Sequence, residues 1–524
     1  MTDAPGRLAR RMDALAVAGR HRAERRPTLG EIALALAEEA PEQEVLRQGE
    51  RRLTRREMVD MARALAGALD RLGLTPGAAI AFQLPNWWEA TIINLAAALT
   101  GYRVVPLLPM YRRAELNAIL PVCGVEAIFI PADGKIDHAA LVASLDAPPK
   151  FVLSVRGEGA RDFSQLVRAT PAEPRLPDSR DAKLIIFTSG STGQPKGVIH
   201  THDSMDAVVR RTAHFWDMGA DDVLYVPSPI GHIGGSIYAF EFPWITGCRT
   251  ILEDHWDPNL AAARIEEEGV TFMAGATPFL AGLLSATKAS GRTLESLDRF
   301  VCGGAAVPPE LVRAALEAWP GTIVSRAYGS TEIPLACPGI RDRASAEAHA
   351  DTDGELALDI RLDDGEILLR GPQMFPGYLD PAHDLGAFTD DGFFRMGDLG
   401  QLVDDRFVVV TGRKKDIIIR KGENISPLEI ENAILAHPDV HAVAVVGAPD
   451  PARGEMVVAF VVARPDFSMT AMTEYLDQAG MARQKFPEHL EHVEALPMNA
   501  IGKVQKPDLR KRAAELVAAR AQSM

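Results

Sequence analysis

The chain has 524 residues, more than one compact core sustains, so several domains or subdomains are expected. Hydrophobic residues make up 47%, charged residues 24% and aromatics 6%, which excludes disordered, collagenous and membrane-spanning classes and predicts an aliphatic core. Lys and Arg number 56 against 71 Asp and Glu, and the resulting formal charge of −15 argues against general nucleic-acid binding. Cys123, Cys248, Cys302 and Cys337 are far apart and form no Cys-x-x-Cys pair, so neither a zinc site nor a disulfide scaffold is indicated and a reducing cytoplasm is expected.

In chain order, the first 29 residues carry Arg7, Arg10, Arg11, Arg20, Arg22, Arg25 and Arg26 without the apolar run of a secretory signal, and read as an exposed lead-in helix. From Thr54 to Leu72, Met58, Met61, Leu65, Leu69 and Leu72 recur at three- and four-residue spacing behind a Thr54/Glu57 capping box, which predicts an amphipathic helix. Short apolar runs at Ala78–Phe82, Val104–Leu108 and Ala127–Ile130 alternate with helical segments such as Trp87–Leu99, a rhythm that predicts a largely parallel sheet. Ala90–Leu108 is the most apolar stretch, but Asn94, Gly101 and Arg103 interrupt it, so a buried helix and strand are expected rather than a membrane span.

The alternation continues through Leu184–Phe187, Val223–Val226 and Phe272–Ala276. It then shortens to hairpin-like runs at Gly365–Arg370 and Phe407–Val410. Ser426-Pro427-Leu428-Glu429 predicts a capping box opening a helix to about His437, followed by strands at Val440–Val446 and Val457–Ala463 and a helix at Thr470–Gln478. The expected architecture is therefore α/β: a large N-terminal domain of layered, mostly parallel sheets with a hairpin-rich subdomain at 1–412, a charged connector at 413–416, and a small α+β domain at 417–524.

Ile186-Phe187-Thr188-Ser189-Gly190-Ser191-Thr192-Gly193-Gln194-Pro195-Lys196-Gly197 is the strongest local signal. Glycines let backbone N–H groups approach an anion, hydroxyls donate further hydrogen bonds and the lysine adds charge, so this loop suits phosphate. It is not a Walker loop, because Pro195 precedes Lys196 and Gly197 follows it. The string resembles the phosphate loop of the adenylate-forming superfamily, which comprises acyl-CoA synthetases, carrier-loading adenylation domains and firefly-type luciferases. Tyr328-Gly329-Ser330-Thr331-Glu332, Gly397-Asp398, Gly412-Arg413-Lys414-Lys415-Asp416 and Gly502-Lys503 follow in that family's order, so the resemblance spans nearly the whole chain.

The resemblance implies roles residue by residue. Thr188, Ser189, Gly190, Ser191, Thr192, Gly193 and Lys196 would wrap the ATP phosphates. Tyr328 would stack on adenine beside Gly329, and Gly303-Gly304-Ala305 would line the other side of the base. Thr331 would contact the α-phosphate, Glu332 would bind Mg²⁺, and Asp398 with Arg413 would hold the ribose. Lys503 would be the catalytic lysine and Lys415 the hinge between domains. Two departures stand out: Ile501 where the family favours a small polar residue, and Arg326 where many relatives carry an amide.

Pro229-Ile230-Gly231-His232-Ile233-Gly234-Gly235 resembles the acyl-pocket segment of acyl- and aryl-CoA synthetases, with His232 as a gate and Gly235 beside it. Ile233, Ala276 and Ile333 would form an apolar wall. Between Pro227 and Tyr238 there is no aspartate to hold a substrate ammonium, so a simple carboxylic acid is preferred over an amino acid. Phe82–Glu89 resembles medium-chain and cyclohexanecarboxylate-type CoA ligases, which points to a medium-chain or alicyclic acid. Lys421-Gly422-Glu423-Asn424-Ile425-Ser426 resembles the loop lining the pantetheine tunnel, so Gly422, Glu423 and Asn424 would face coenzyme A.

The expectation is an AMP-forming acyl-CoA synthetase using a carboxylic acid, ATP, Mg²⁺ and coenzyme A, with no nucleic-acid partner and no membrane span. Its oligomeric state is open, a homodimer included. Rival readings are an enzyme that loads the acyl-adenylate onto a carrier protein, a luciferase-like oxygenase, and a non-catalytic nucleotide-binding regulator. The last would have little reason to keep Glu332, Asp398, Arg413 and Lys503 together.

Overall fold

A computed structural model describes residues 4–17, 25–189, 195–304, 307–420, 423–450, 453–498 and 504–523. The chain divides into two compact units, one of Met1–Asp359 with Leu369–Phe394, the other of Ile360–Leu368 with Arg395–Met524.

The larger unit is built on two seven-stranded sheets. In the first, strands Ile323–Ala327, Arg299–Gly303, Phe272–Gly275, Val223–Val226, Arg249–Leu252 and Glu44–Gln48 lie side by side in parallel, with Arg51–Thr54 as an antiparallel edge. In the second, Ala182–Ser189, Arg103–Pro106, Ala79–Phe82, Val125–Pro131 and Phe151–Val155 are parallel neighbours. Pro195–Thr201 turns back antiparallel on Ala182–Ser189, and Gly377–Tyr378 closes that edge. The parallel expectation therefore holds except at the edges; the turnback sets Thr188 opposite Lys196 across the loop.

The strands are continuous apolar runs because both faces are covered, as parallel sheets require. One large cluster joins the two sheets through Phe82, Ile92, Leu95, Val208 and Phe240, every one of them 2% exposed or less. Helix Arg55–Leu72 forms as its periodicity predicts: Thr54 accepts from the Glu57 N–H, Glu57 returns the bond to the Thr54 N–H, and Gly73 ends the helix in the left-handed region. Helix Trp88–Thr100 is buried along almost its whole length, and no helix among the described residues is long and apolar enough to cross a membrane.

The N-terminal helix, Ala4–Val17, is not the exposed lead-in that its arginines suggest. Leu8 and Leu15 are 3% and 1% exposed and join the core cluster of the second sheet, so the helix is docked by its apolar side.

The smaller unit holds the hairpin-rich strands and an α+β layer. Phe394–Val403 pairs with Phe407–Arg413, and a five-stranded sheet is built around the long Val440–Asp450/Gly454–Ala463 hairpin. Helices Pro427–Leu435 and Met469–Gln478 contribute Ile430, Ile434, Met472 and Leu476 to the core on one face of that sheet. The first helix starts where expected, but the Ser426/Glu429 capping box does not form. Ser426 Oγ donates instead to the Thr411 carbonyl, and Glu429 accepts from Lys485 Nζ.

Candidate active site

In open parallel sheets, ligands bind outside the carboxyl ends of the strands. Four neighbouring strands of the first sheet end on one edge, and each is followed by a segment singled out by sequence. Ile323–Ala327 runs into Tyr328, Arg299–Gly303 into Gly304, Phe272–Gly275 into Ala276, and Val223–Val226 into the Pro227–His232 turn. Register sets Gly303 beside Ala327 and Gly275 beside Cys302. The candidate adenine residues and the candidate acyl-pocket residues are thus adjacent along one edge.

The acyl segment is fixed from the second sheet. Asn86, which follows the Ala79–Phe82 strand and is 5% exposed, accepts from the Ile230 N–H at 2.9 Å and donates to the Ser228 and Val226 carbonyls at 3.0 and 3.3 Å. His232 caps the short helix Ile233–Ser236, its Nδ1 accepting from the Gly234 N–H at 3.3 Å. Gly235 is required by close approach, because a Cβ there would lie 2.2 Å from the Pro229 carbonyl oxygen. Ile233 and Ile333 are buried, and Ala276, half-buried, opens helix Thr277–Ser290.

The Tyr328–Glu332 turn is tied to the phosphate-loop strands. Tyr328 exchanges backbone bonds with Cys337 at 3.0 and 2.9 Å, and Ser330 exchanges bonds with Ile333. His200, on the strand that carries Lys196, donates from Nε2 to the Thr331 carbonyl at 2.7 Å, while its Nδ1 meets Ser204 Oγ at 3.0 Å. Burial pushes His200 down to about 4, so the imidazole stays neutral, as a ring donating from one nitrogen and accepting at the other should be. Glu332 is held at its carbonyl by the Phe375 N–H at 2.8 Å and at Oε1 by the Tyr378 hydroxyl at 2.7 Å. Lys196 Nζ stands 5.1 Å from the centroid of the same tyrosine ring.

Glu332 offers a carboxylate, and among the described residues no group of three or more His, Cys, Asp or Glu side chains could hold a metal ion. That donor set fits magnesium that arrives on nucleotide phosphates, since Mg²⁺ usually keeps only one or two protein carboxylates.

In the smaller unit, Asp398 and Arg413 face each other across a hairpin, Arg413 Nε lying 2.7 Å from Asp398 Oδ1. Asp398 is 3% exposed, whereas the arginine side chain is half exposed. Lys415 lies in the short turn Lys414–Asp416, which Arg510 of helix Lys506–Ser523 braces by an ion pair to Asp416 at 2.8 Å. Burial, foremost, lowers the Lys415 ammonium below its ordinary value. Glu423 and Asn424 are exposed on the Glu423–Ile425 strand. Gly190, Ser191, Thr192, Gly193, Ala305, Gly422 and Lys503 lie outside the described residues, as does the side chain of Ser189.

His200 and Tyr378 escaped the sequence reading, and Asn86 entered it only within Phe82–Glu89, with no role of its own. Each acts through a contact with a chain-distant segment, and none belongs to a string that names such a partner.

The chain matches the AMP-binding enzyme model over residues 35–379 and the AMP-binding enzyme C-terminal domain model over residues 429–503. The chain belongs to the AMP-binding enzyme family. Within the adenylate-forming superfamily it is an acyl-CoA synthetase, and its relatives bear this out. It is 33% identical over 482 residues to the medium-chain fatty-acid–CoA ligase of Escherichia coli, covering 86% of this chain and 84% of that one. It is 34% identical over 499 residues to a salicylyl-CoA synthase/salicylate adenylyltransferase from a Streptomyces species, covering 88% and 89%. The ATP-bound crystal structure of MatB from Rhodopseudomonas palustris superposes with a TM-score of 0.82 at 26% identity, covering 94% of this chain and all of that one.

Proposed function

We propose that this acyl-CoA synthetase activates a medium-chain or alicyclic carboxylic acid in two half-reactions. A carboxylate oxygen of the acid attacks the α-phosphorus of ATP and expels pyrophosphate. The coenzyme A thiolate then attacks the acyl carbonyl and expels AMP. The observation that carries this reading is the shared strand edge, where Tyr328, Gly304, Ala276 and the His232 turn follow four adjacent parallel strands and would set base, phosphates and acid in one row.

In this reading Thr188, Lys196 and the loop between them bind the phosphates, and Thr331 contacts the α-phosphate. Glu332 holds Mg²⁺, which when bound neutralises charge on the phosphoryl oxygens. His232 gates the acid beside Ile233, Gly235, Ala276 and Ile333, a wall without a charged partner for a second ionic group. Asp398, oriented by Arg413, accepts from the ribose hydroxyls. Lys503 supplies a positive charge where phosphoryl charge develops, and no proton transfer is needed of it. We assign residues 1–412 to the adenylation domain, 413–416 to a hinge pivoting at Lys415, and 417–524 to a cap. The cap would present Lys503 for the first half-reaction and Gly422, Glu423 and Asn424 to coenzyme A for the second. We further place the enzyme in the cytoplasm, without a nucleic-acid partner, as a monomer or homodimer.

The test separates the half-reactions. Lys503→Ala is expected to slow acid-dependent ATP–pyrophosphate exchange by ~10²–10³ while leaving thioester formation from supplied acyl-AMP near the parent rate. Equal loss in both would contradict the role given to Lys503.

A further inference from the structure

Tyr378 sits on a strand of only two residues, Gly377–Tyr378, at the free edge of the second sheet. So short a pairing is weak on its own, and an edge strand leaves one row of backbone groups without a strand partner. Here an arginine–aspartate couple takes the place of the missing strand. Arg11 Nε donates to the Tyr378 carbonyl at 2.9 Å, Asp384 Oδ1 accepts from the Tyr378 N–H at 2.9 Å, and Arg11 and Asp384 form an ion pair with each other. Both side chains of that pair are about nine-tenths buried, and bonds to ionised groups are the stronger kind. Gly377 lets the N-terminal helix come this close: a Cβ there would lie 2.7 Å from Arg11 Nη2 and 2.8 Å from Leu15 Cδ2.

What the clamp holds is the ring between two candidate catalytic charges. The Tyr378 hydroxyl donates to Glu332 Oε1 at 2.7 Å, and Lys196 Nζ stands 5.1 Å from the ring centroid. Phe375 packs edge-on against the ring with centroids 4.8 Å apart, and the Phe375 N–H anchors the Glu332 carbonyl. The Tyr378 hydroxyl thereby occupies and orients one oxygen of the Glu332 carboxylate. The ammonium is drawn to the ring face by the aromatic quadrupole.

We propose that Tyr378 is a positioning residue for adenylation, fixing the Glu332 carboxylate and the Lys196 ammonium, and that Arg11 of the N-terminal helix locks it in place. This rests on the reading of Glu332 as the carboxylate that meets nucleotide-borne magnesium. The docked N-terminal helix then serves chemistry as well as packing.

The test measures Mn²⁺ binding to the full-length enzyme with ATP, by electron paramagnetic resonance, alongside the Mg²⁺ dependence of ATP–pyrophosphate exchange. Tyr378→Phe keeps the ring and removes only the hydroxyl; it is expected to weaken ATP-dependent Mn²⁺ binding about tenfold and to raise the Mg²⁺ needed for half-maximal exchange similarly, the size expected for a lost bond to a charged group. Arg11→Gln is expected to shift both several-fold in the same direction, and the double variant to be no worse than Tyr378→Phe, because Arg11 acts through the tyrosine. Unchanged metal binding in Tyr378→Phe would overturn the role of the hydroxyl. Additive losses in the double variant would overturn the lock. Failure of Glu332→Gln to alter metal binding would instead overturn the underlying assignment of Glu332, so the two failures are distinguishable. Equal melting temperatures of parent and single variants show that the shifts do not arise from unfolding.

Discussion

His200 links the phosphate-loop strand to the Tyr328–Glu332 turn by one hydrogen bond, and its burial keeps the imidazole neutral. An unfolded histidine titrates near 6.5, whereas burial holds this one at about 4. The unfolded chain therefore binds the extra proton across that interval. The contribution of His200 to stability is complete above about pH 6.5 and is lost as pH falls towards 4. His202, also buried, is lowered too and acts with the same sign. Denaturant midpoints measured from pH 7 to pH 5 are expected to fall on acidification, and to fall less steeply in His200→Asn, whose amide carries no proton to gain. Parallel slopes in parent and variant would show that His200 is not a source of the acid sensitivity.

Two helix starts with similar sequences behave differently, and the contrast shows what a sequence can carry. At Thr54 both halves of the capping box lie within four residues, and the motif is realised although Arg51 stands 3.8 Å from Glu57 Oε1. Thr54→Ala is expected to cost about 1 kcal/mol in a denaturation experiment. At Ser426 the same spacing is overridden, because the Thr411 carbonyl takes the hydroxyl and Lys485 takes Glu429. The N-terminal helix teaches the same lesson: its arginines suggested solvent, but Leu8 and Leu15 find a core supplied by distant strands. Strands and their carboxyl-end motifs were legible because apolar runs and Gly-rich turns are local. The roles of His200, Asn86 and Tyr378 were not, because each depends on a partner that only the fold brings near.

The proposed cycle requires the adenylation domain and the cap to work in sequence about a hinge that lies within the smaller compact unit. Lys415, exposed in a short turn braced by Arg510, is the proposed pivot, where a restricted φ angle has the most effect. Lys415→Pro is expected to preserve one half-reaction and depress the other by 10²-fold or more, as measured by pyrophosphate exchange and by thioester formation from supplied acyl-AMP; equal retention of both would remove the pivot from the account. The most direct measurement is release of AMP and pyrophosphate with ATP and magnesium across straight-chain, alicyclic, aromatic and amino acids, each with and without coenzyme A. A coenzyme A thioester formed with one AMP per turnover, from a medium-chain or alicyclic acid, is the expected result. Acid-dependent pyrophosphate exchange whose adenylate coenzyme A cannot discharge would contradict it and assign the acyl group to a carrier protein.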